Sequence, residues 1–424
     1  MGSDQHENQG LEPAQALKQK IQPFRSFRNP TYRIFYFSLI NQMAAMNMQM
    51  MARILLIYRL TESPTILGAI SFAHAIPMLL LSLFGGVIAD RFQKKQIILI
   101  GNLISVFVSL VVGLTLSLGY LSAEIPGSWW ILVVASIFQG IIMALSMPAR
   151  QAIIPEIVGG EQIMNATSLN TMGMNIMRLF APAVAGFLID GISFAAVYYT
   201  MTGLYALAAF FISFIPETGK MKEKHDGAVA DVTAALQYVR KNPIILTILG
   251  FALVGVVLAM PYRQLLPIFT EDILEVGAAG MGIMMSVSGA GAIVGSVVIA
   301  SLPNRKRGLM LLASGVFLGI VLTAFSFSSS WQASLALIAL VGLGQAAAMT
   351  LNSTLIQYYV DSEFRGRVMS ILMMEFGLMS FGTFAAGLLT EAIGVQWALG
   401  LFGMILTFFA VAILILFPSM RKLQ

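Results

Sequence analysis

The sequence predicts an all-α polytopic membrane protein with twelve transmembrane helices in two pseudo-symmetric six-helix bundles. Three observations predict this fold class: an apolar composition, twelve long apolar segments and an internal repeat. Of the 424 residues, 58% are hydrophobic and 11% are charged, whereas soluble domains contain about 25% charged residues. A soluble chain of this length could not bury so much apolar surface, so we expect a lipid bilayer to cover it.

Each apolar segment has roughly the length of about 20 residues that crosses the hydrocarbon core of a bilayer. The predicted spans are 33–59, 65–89, 96–119, 128–148, 164–190, 192–214, 243–270, 277–301, 308–328, 331–357, 367–391 and 395–418. The predicted organisation is a cytoplasmic tail over 1–32, a bundle over 33–215, a cytoplasmic linker over 216–242, a bundle over 243–418 and a cytoplasmic tail over 419–424.

The basic residues predict the orientation of these spans. Of the 25 Lys and Arg residues, all but four lie in the two tails, in the linker, or in and beside the loops on the same side of the membrane as the tails. The exceptions, which fall within or at the ends of spans, are Arg53, Arg59, Arg178 and Arg263. Because cytoplasmic loops carry the excess of Lys and Arg, we expect both termini in the cytoplasm and the chain in the inner or plasma membrane.

An internal repeat relates the two halves. Arg53-Ile-Leu-Leu recurs as Arg263-Gln-Leu-Leu, and 147–168 aligns with 349–370. Collinear matches of this kind predict two halves in parallel orientation, with a substrate bound between them near the middle of the membrane.

The segment between the second and third spans carries the most specific motif, Gly86-Val-Ile-Ala-Asp90-Arg91-Phe92-Gln93-Lys94-Lys95. It resembles the loop signature of the major facilitator superfamily and departs from it at Gln93, where that family usually has Gly. The resemblance implies the major facilitator fold and a conformational latch. The implied latch residues are Gly86, Asp90, Arg91, Lys94, Lys95 and Arg150.

Four further stretches, 147–156, 165–170, 178–186 and 365–370, resemble the branch that contains enterobactin exporters and macrolide-efflux proteins, a branch of drug antiporters. This resemblance implies efflux of small amphipathic molecules, such as drugs, macrolides or siderophores, by alternating access coupled to protons or sodium. The motifs do not fix direction, so an uptake symporter and a lipid or lysolipid flippase remain alternatives.

Charged and polar residues inside the spans are costly in lipid and therefore mark functional positions. Glu375 is the candidate for carrying the coupling proton, with a structural ion pair as the alternative. Arg53 and Arg263 either make an outer cavity electropositive, favouring anionic or acceptor-rich solutes, or extend to the outer headgroups. The cavity candidates are Gln49, Arg53, Asn175, Arg178, Arg263 and Gln264, and the helix-packing candidates are Pro182, Gly186, Gly291, Gly295 and Gly382.

The sequence lacks residues that other classes of function, such as metal-dependent enzymes and ATP-driven pumps, require. The sequence has three His and no Cys, so it does not predict a metal site or a His-based enzyme. It also lacks the phosphate-binding motif Gly-x-x-x-x-Gly-Lys-Ser/Thr, so it does not predict ATP binding. We expect no cofactor and no nucleic-acid partner. The expected partners are a small-molecule substrate, a coupling ion and the bilayer, with the protein acting as a monomer.

Overall fold

A computed structural model of the chain describes residues 24–217, 236–303, 305–361, 364–421 and 423. For 82–91, 161, 370, 373 and 376 it describes the backbone but not the side chains. Most of the predicted N-terminal tail and of the predicted linker lies outside the described residues.

The first half contains α1 (Pro30–Thr61), α2 (Pro64–Arg91), α3 (Lys94–Ser117), α4 (Trp130–Val158), α5 (Ile163–Gly191) and α6 (Phe194–Ser213). The second half contains α7 (Pro243–Ala259), α8 (Tyr262–Ile268), α9 (Gly277–Ser301), α10 (Arg307–Ser326), α11 (Trp331–Tyr359), α12 (Arg365–Ile393), α13 (Val395–Leu416) and the short α14 (Pro418–Arg421). Within the described part of each half, the connections between spans are short, and successive spans run in opposite directions.

Every predicted span coincides with described helix, and the all-α membrane fold class is confirmed. In the described part of the chain, ten segments are long and apolar enough to cross a bilayer. Two further long helices, α1 and α12, make the architecture compatible with the predicted twelve spans. They contain 32 and 29 residues, which is long enough to cross a bilayer.

Local sequence explains where these helices begin and break. The side chain of Asn29 accepts hydrogen bonds from the backbone N–H groups of Thr31 and Tyr32, which caps the start of α1. The seventh span is interrupted between α7 and α8 because Pro261 has no N–H and its ring clashes with the preceding turn. A π-helical turn, Phe269–Ile273, follows α8.

Packing follows the repeat. Within the first half, α2 packs on α4 and α3 on α6; within the second, α9 packs on α11 and α10 on α13. The halves meet mainly through two pairs, α2 with α12 and α5 with α9. The second and eighth spans occupy equivalent places in the repeat, as do the fifth and eleventh. The two pairs are therefore related by the pseudo-symmetry.

We call the end of the bundle where α1 begins the tail end, and the opposite end the far end. Close backbone contacts join the halves in the far-end portion. A β-carbon added to Gly186 of α5 would lie 2.4 Å from the carbonyl oxygen of Ala278. Its repeat equivalent, Gly387 of α12, would meet the carbonyl oxygen of Pro64 at the same 2.4 Å. Only glycine permits so close an approach of two helices.

Candidate functional site

A pocket lies between the two halves, midway along α1, α5 and α9. Tyr262 and Arg263, at the start of α8, line it from the second half, and Arg178 lines it from α5. The complete lining is Asn47, Met50, Arg178, Pro182, Tyr262, Arg263, Leu266, Met284, Met285, Ser288, Gly289 and Ile338. Two arginines thus face one space whose remaining lining is mostly apolar and contains no carboxylate. We call it the central pocket.

Arg263 is held in place by neighbouring side chains. Its Nη2 donates to Oε1 of Gln345 on α11 at 3.1 Å, and its Nε donates to Oη of Tyr262 at 3.2 Å. The Tyr262 hydroxyl is itself 2.9 Å from Oγ of Ser288 on α9. Because these partners are neutral, they orient the guanidinium group without neutralising its charge.

Arg178 has a different environment. Its side chain is exposed although it lies midway along a membrane-spanning helix, and no described residue forms a hydrogen bond or ion pair with it. The nearest charge that acts on it is Arg263, which repels it. A cation without a carboxylate partner at this depth is costly and therefore marks the central pocket as a functional position.

Gln49 and Arg53 lie elsewhere, inside the first half. The Tyr205 hydroxyl donates to Oε1 of Gln49 at 2.9 Å, and Gln139 donates to the same hydroxyl at 3.4 Å. Arg53 donates to Oγ of Ser136 at 3.3 Å. We call these five residues the first-half cluster. The structure therefore brings Arg263 together with Arg178 rather than with its repeat partner Arg53. Asn175 and Gln264 are half-buried and line neither group.

A group of charged residues that the sequence did not single out joins the halves at the far end. Arg59 of α1 contacts Glu271 through two hydrogen bonds, of 3.0 and 2.8 Å, and Asp190 of α5 lies 3.9 Å from the same guanidinium group. The carboxylate of Asp190 also accepts from the backbone N–H groups of Ala278 and Ala279, at 3.3 and 2.7 Å, at the start of α9.

Tyr58 donates a hydrogen bond to Asp272 beside this ion pair. We call Tyr58, Arg59, Asp190, Glu271 and Asp272 the far-end lock. The signal for it was present in the sequence: Arg59 is the one basic residue near several acidic residues of the far-end connections. Its partner lies 212 positions away, so only the fold could identify the pair.

The residues of the implied latch are partly described. The backbone of Gly86, Asp90 and Arg91 belongs to α2, but their side chains lie outside the described residues. Lys94 forms a 2.5 Å ion pair with Glu156 at the tail end, and Lys95 is half-buried. Arg150 is 5% exposed and donates to Asn102 at 3.3 Å. Its Nε and Nη1 are buried and have no partner among the described residues.

Glu375 lies in the part of α12 that is nearer to the tail end. Its side chain is 5% exposed, and no described cation forms an ion pair with it. Two turns closer to the far end, Thr383 is fully buried. Among the described residues, no group of three or more His, Asp or Glu side chains is arranged to hold a metal ion.

The packing candidates lie at helix contacts. A β-carbon on Gly291 or Gly295 of α9 would meet the α11 backbone at 1.9 and 2.4 Å, and one on Gly382 would meet Val257 of α7 at 2.1 Å. Gly186 and Pro182 lie at the α5–α9 contact, where the carbonyl oxygen of Pro182 would be 2.4 Å from a β-carbon on Gly282.

Comparison with known proteins places these features in context. A family model described as a transmembrane secretion effector matches residues 21–424. The staphyloferrin A transporter of Staphylococcus aureus is 27% identical over 348 residues, which cover 80% of this chain and 84% of that protein. The enterobactin exporter EntS of Salmonella typhimurium is 26% identical over 294 residues, 67% of each chain. Macrolide efflux protein A of Streptococcus pyogenes is 23% identical over 351 residues, 80% of this chain and 85% of that one.

Solved structures show the same fold. The nucleoside transporter NupG superposes with a TM-score of 0.70 over 93% of this chain and 100% of that chain, at 13% identity. A bacterial homologue of the human lysosomal transporter Spinster, in an inward-facing and unoccupied conformation, gives a TM-score of 0.70 over 92% of this chain and 98% of that chain, at 14% identity.

Proposed function

Because the chain belongs to the transmembrane secretion effector family of the major facilitator superfamily, and is thus a membrane transporter, we propose that it exports a small amphipathic molecule in exchange for protons. The observation that carries this proposal is the central pocket, which lies between the halves at mid-membrane depth and is lined by two arginines that have no carboxylate partner among the described residues. The curated relatives, named for a siderophore, enterobactin and macrolides, agree with a small-molecule substrate.

Orientation follows from the two ends of the bundle. Lys94, Lys95 and the segment 305–307 make the tail end basic, whereas Asp190, Glu271 and Asp272 make the far end acidic. Membrane proteins retain basic loops in the cytoplasm. The tail end is therefore the cytoplasmic end, and the substrate enters the central pocket from the cytoplasm.

Release on the other side requires the halves to separate at the far end. The far-end lock and the Gly186 and Gly387 contacts hold that end closed in this conformation. The α5–α9 and α2–α12 pairs are the surfaces over which the halves rock, because they form most of the contact between them. Breaking the lock while closing the tail end moves the pocket from cytoplasmic to external access, which is alternating access. The implied latch, in which Asp90 meets the start of α12 and a base such as Arg150, closes the tail end in that second conformation.

Glu375 is the group that we assign to proton coupling. It is a buried carboxyl group on α12, one of the helices at the contact between halves, and no described cation neutralises it. An unpaired carboxylate in an apolar surrounding is costly, and binding a proton removes the charge. A group that gains and loses one proton per cycle can therefore favour one conformation of α12 over the other.

The test measures accumulation of a panel of antibiotics and dyes in cells that express the wild type, Glu375→Gln or Glu391→Gln. Glu391 is the matched control because it is an exposed carboxylate on the same helix. We expect the wild type and Glu391→Gln to lower accumulation of at least one compound, and we expect an uncoupler or Glu375→Gln to abolish the effect.

Three results would contradict the proposal in different ways. Higher accumulation in expressing cells indicates uptake. Export that persists with an uncoupler and stops when sodium is removed assigns the coupling to sodium. Equal activity of Glu375→Gln and the wild type leaves export standing and removes Glu375 from the mechanism.

A further inference from the structure

The charges that the described chain places inside the membrane are unbalanced. Arg53, Arg150, Arg178 and Arg263 all lie within or beside the helical core, against the single carboxylate Glu375. Ion pairs inside membranes normally match cations with carboxylates. Here the two arginines of the central pocket have no such partner among the described residues, although each can donate several hydrogen bonds.

The geometry of the two arginines matches an incoming anion. Arg263 is pre-oriented by Gln345 and Tyr262, so binding does not have to immobilise it. Arg178, on the other half, has no hydrogen-bond partner among the described residues and is repelled by Arg263. An anionic group between them would pair with both guanidinium groups and remove their repulsion. Guanidinium groups bind carboxylates in this way through paired, charge-assisted hydrogen bonds.

The remaining side chains that line the pocket favour a ligand with an apolar part. Met50, Leu266, Met284 and Ile338 line it, and methionine side chains adapt to ligands of different shape. In this conformation the cavity has a volume of about 20 Å³, so an organic ligand fits only when the two halves separate around it. We propose that the central pocket binds an amphipathic organic anion whose acidic group is held between Arg178 and Arg263 and whose apolar part contacts the methionines. This inference rests on the proposed function, since it names the substrate class of the same site.

An ion between Arg178 and Arg263 also links the two halves. Arg178 belongs to α5 and Arg263 to α8, so the bound anion forms contacts with both bundles at once. A cationic or neutral ligand would leave the two arginines repelling each other across the pocket. The anion therefore favours conformations in which both guanidinium groups reach it.

The experiment compares two dyes that share the xanthene ring system and differ in charge, anionic carboxyfluorescein and cationic rhodamine 6G. Binding to the purified full-length protein in lipid nanodiscs is followed by fluorescence anisotropy. We expect the wild type to bind the anionic dye more tightly than the cationic dye. Arg178→Gln and Arg263→Gln should each raise the Kd for the anion about ten- to a hundredfold, because each removes hydrogen bonds between a charged group and the ligand.

Two further variants make the result specific. Arg178→Lys keeps the charge and should lose less affinity than Arg178→Gln. Arg53→Gln removes a cation from the first-half cluster, outside the pocket, and should leave binding of the anion within about twofold of the wild type, a change smaller than a single hydrogen bond produces. Size-exclusion profiles and thermal unfolding verify that each variant is folded.

Tighter binding of rhodamine 6G, no measurable binding of carboxyfluorescein, or equal losses in Arg53→Gln and Arg178→Gln would overturn the assignment. The outcome is separate from that of the proposed function. Cells that export only cationic or neutral compounds would retain export and refute the anion site. Anion binding without any export would retain the site and refute the proposed function.

Discussion

Removing the far-end lock should shift the protein towards a conformation that is open at the far end. The double variant Arg59→Gln/Asp190→Ala deletes the Arg59–Glu271 pair and the cap that Asp190 forms on α9. The side chains of Arg59 and Glu271 are 34% and 22% exposed, so solvent weakens this pair to about 1 kcal/mol. Loss of a capping carboxylate costs about 1 kcal/mol more. The total of about 2 kcal/mol corresponds to about a thirtyfold change in the ratio of the two conformations.

The assay uses the absence of cysteine from the natural sequence. A single Ala278→Cys substitution introduces a thiol at a position that is 0% exposed in this conformation, beside the contact with Gly186. Labelling by a membrane-impermeant maleimide should be slow in this background and about ten- to thirtyfold faster with the double variant. Glu124→Ala, which removes an exposed carboxylate outside the lock, is the control. A labelling rate within threefold of the background would refute the role of the lock.

Three further predictions concern packing and the pocket. Gly186→Leu should prevent closure of the far end and abolish transport, whereas Gly191→Leu, on the same helix with no neighbouring atom within 4 Å of an added β-carbon, should transport normally in the cell accumulation assay. Tyr205→Phe removes the hydroxyl that bonds to Gln49 and leaves buried amides unpaired. The free energy of unfolding should therefore fall by about 1–3 kcal/mol in thermal unfolding, and an unchanged Tm would contradict this. Gln345→Ala should raise the KM for an anionic substrate with little change in kcat, because it releases a guanidinium group that the substrate must then order; a change in kcat alone would contradict this.

The sequence predicted the helices well because bilayer thickness imposes a length and a composition on each span. Gly186 and Gly387 occupy equivalent places in the repeat, and both lie at contacts between the halves. The boundaries of the tails and linker stay predictions, since much of those segments lies outside the described residues.

The arrangement around the charged residues could not be read from the chain alone. Helices that are apolar on nearly every side give little indication of which face points into the cavity. Arg53 and Arg263 match in the repeat, yet Arg53 donates to Ser136 of α4, whereas Arg263 lines the central pocket together with Arg178. The far-end lock shows the same limit, because Arg59 and Glu271 come together only when the two bundles are assembled.

Transport by purified protein in liposomes tests the central claim most directly. Liposomes are loaded with carboxyfluorescein, and dye release is followed with and without a proton gradient directed inward. We predict that the gradient accelerates release by the wild type and has no effect on Glu375→Gln. Equal release by the wild type with and without the gradient would contradict proton-coupled export through the pocket between the two halves.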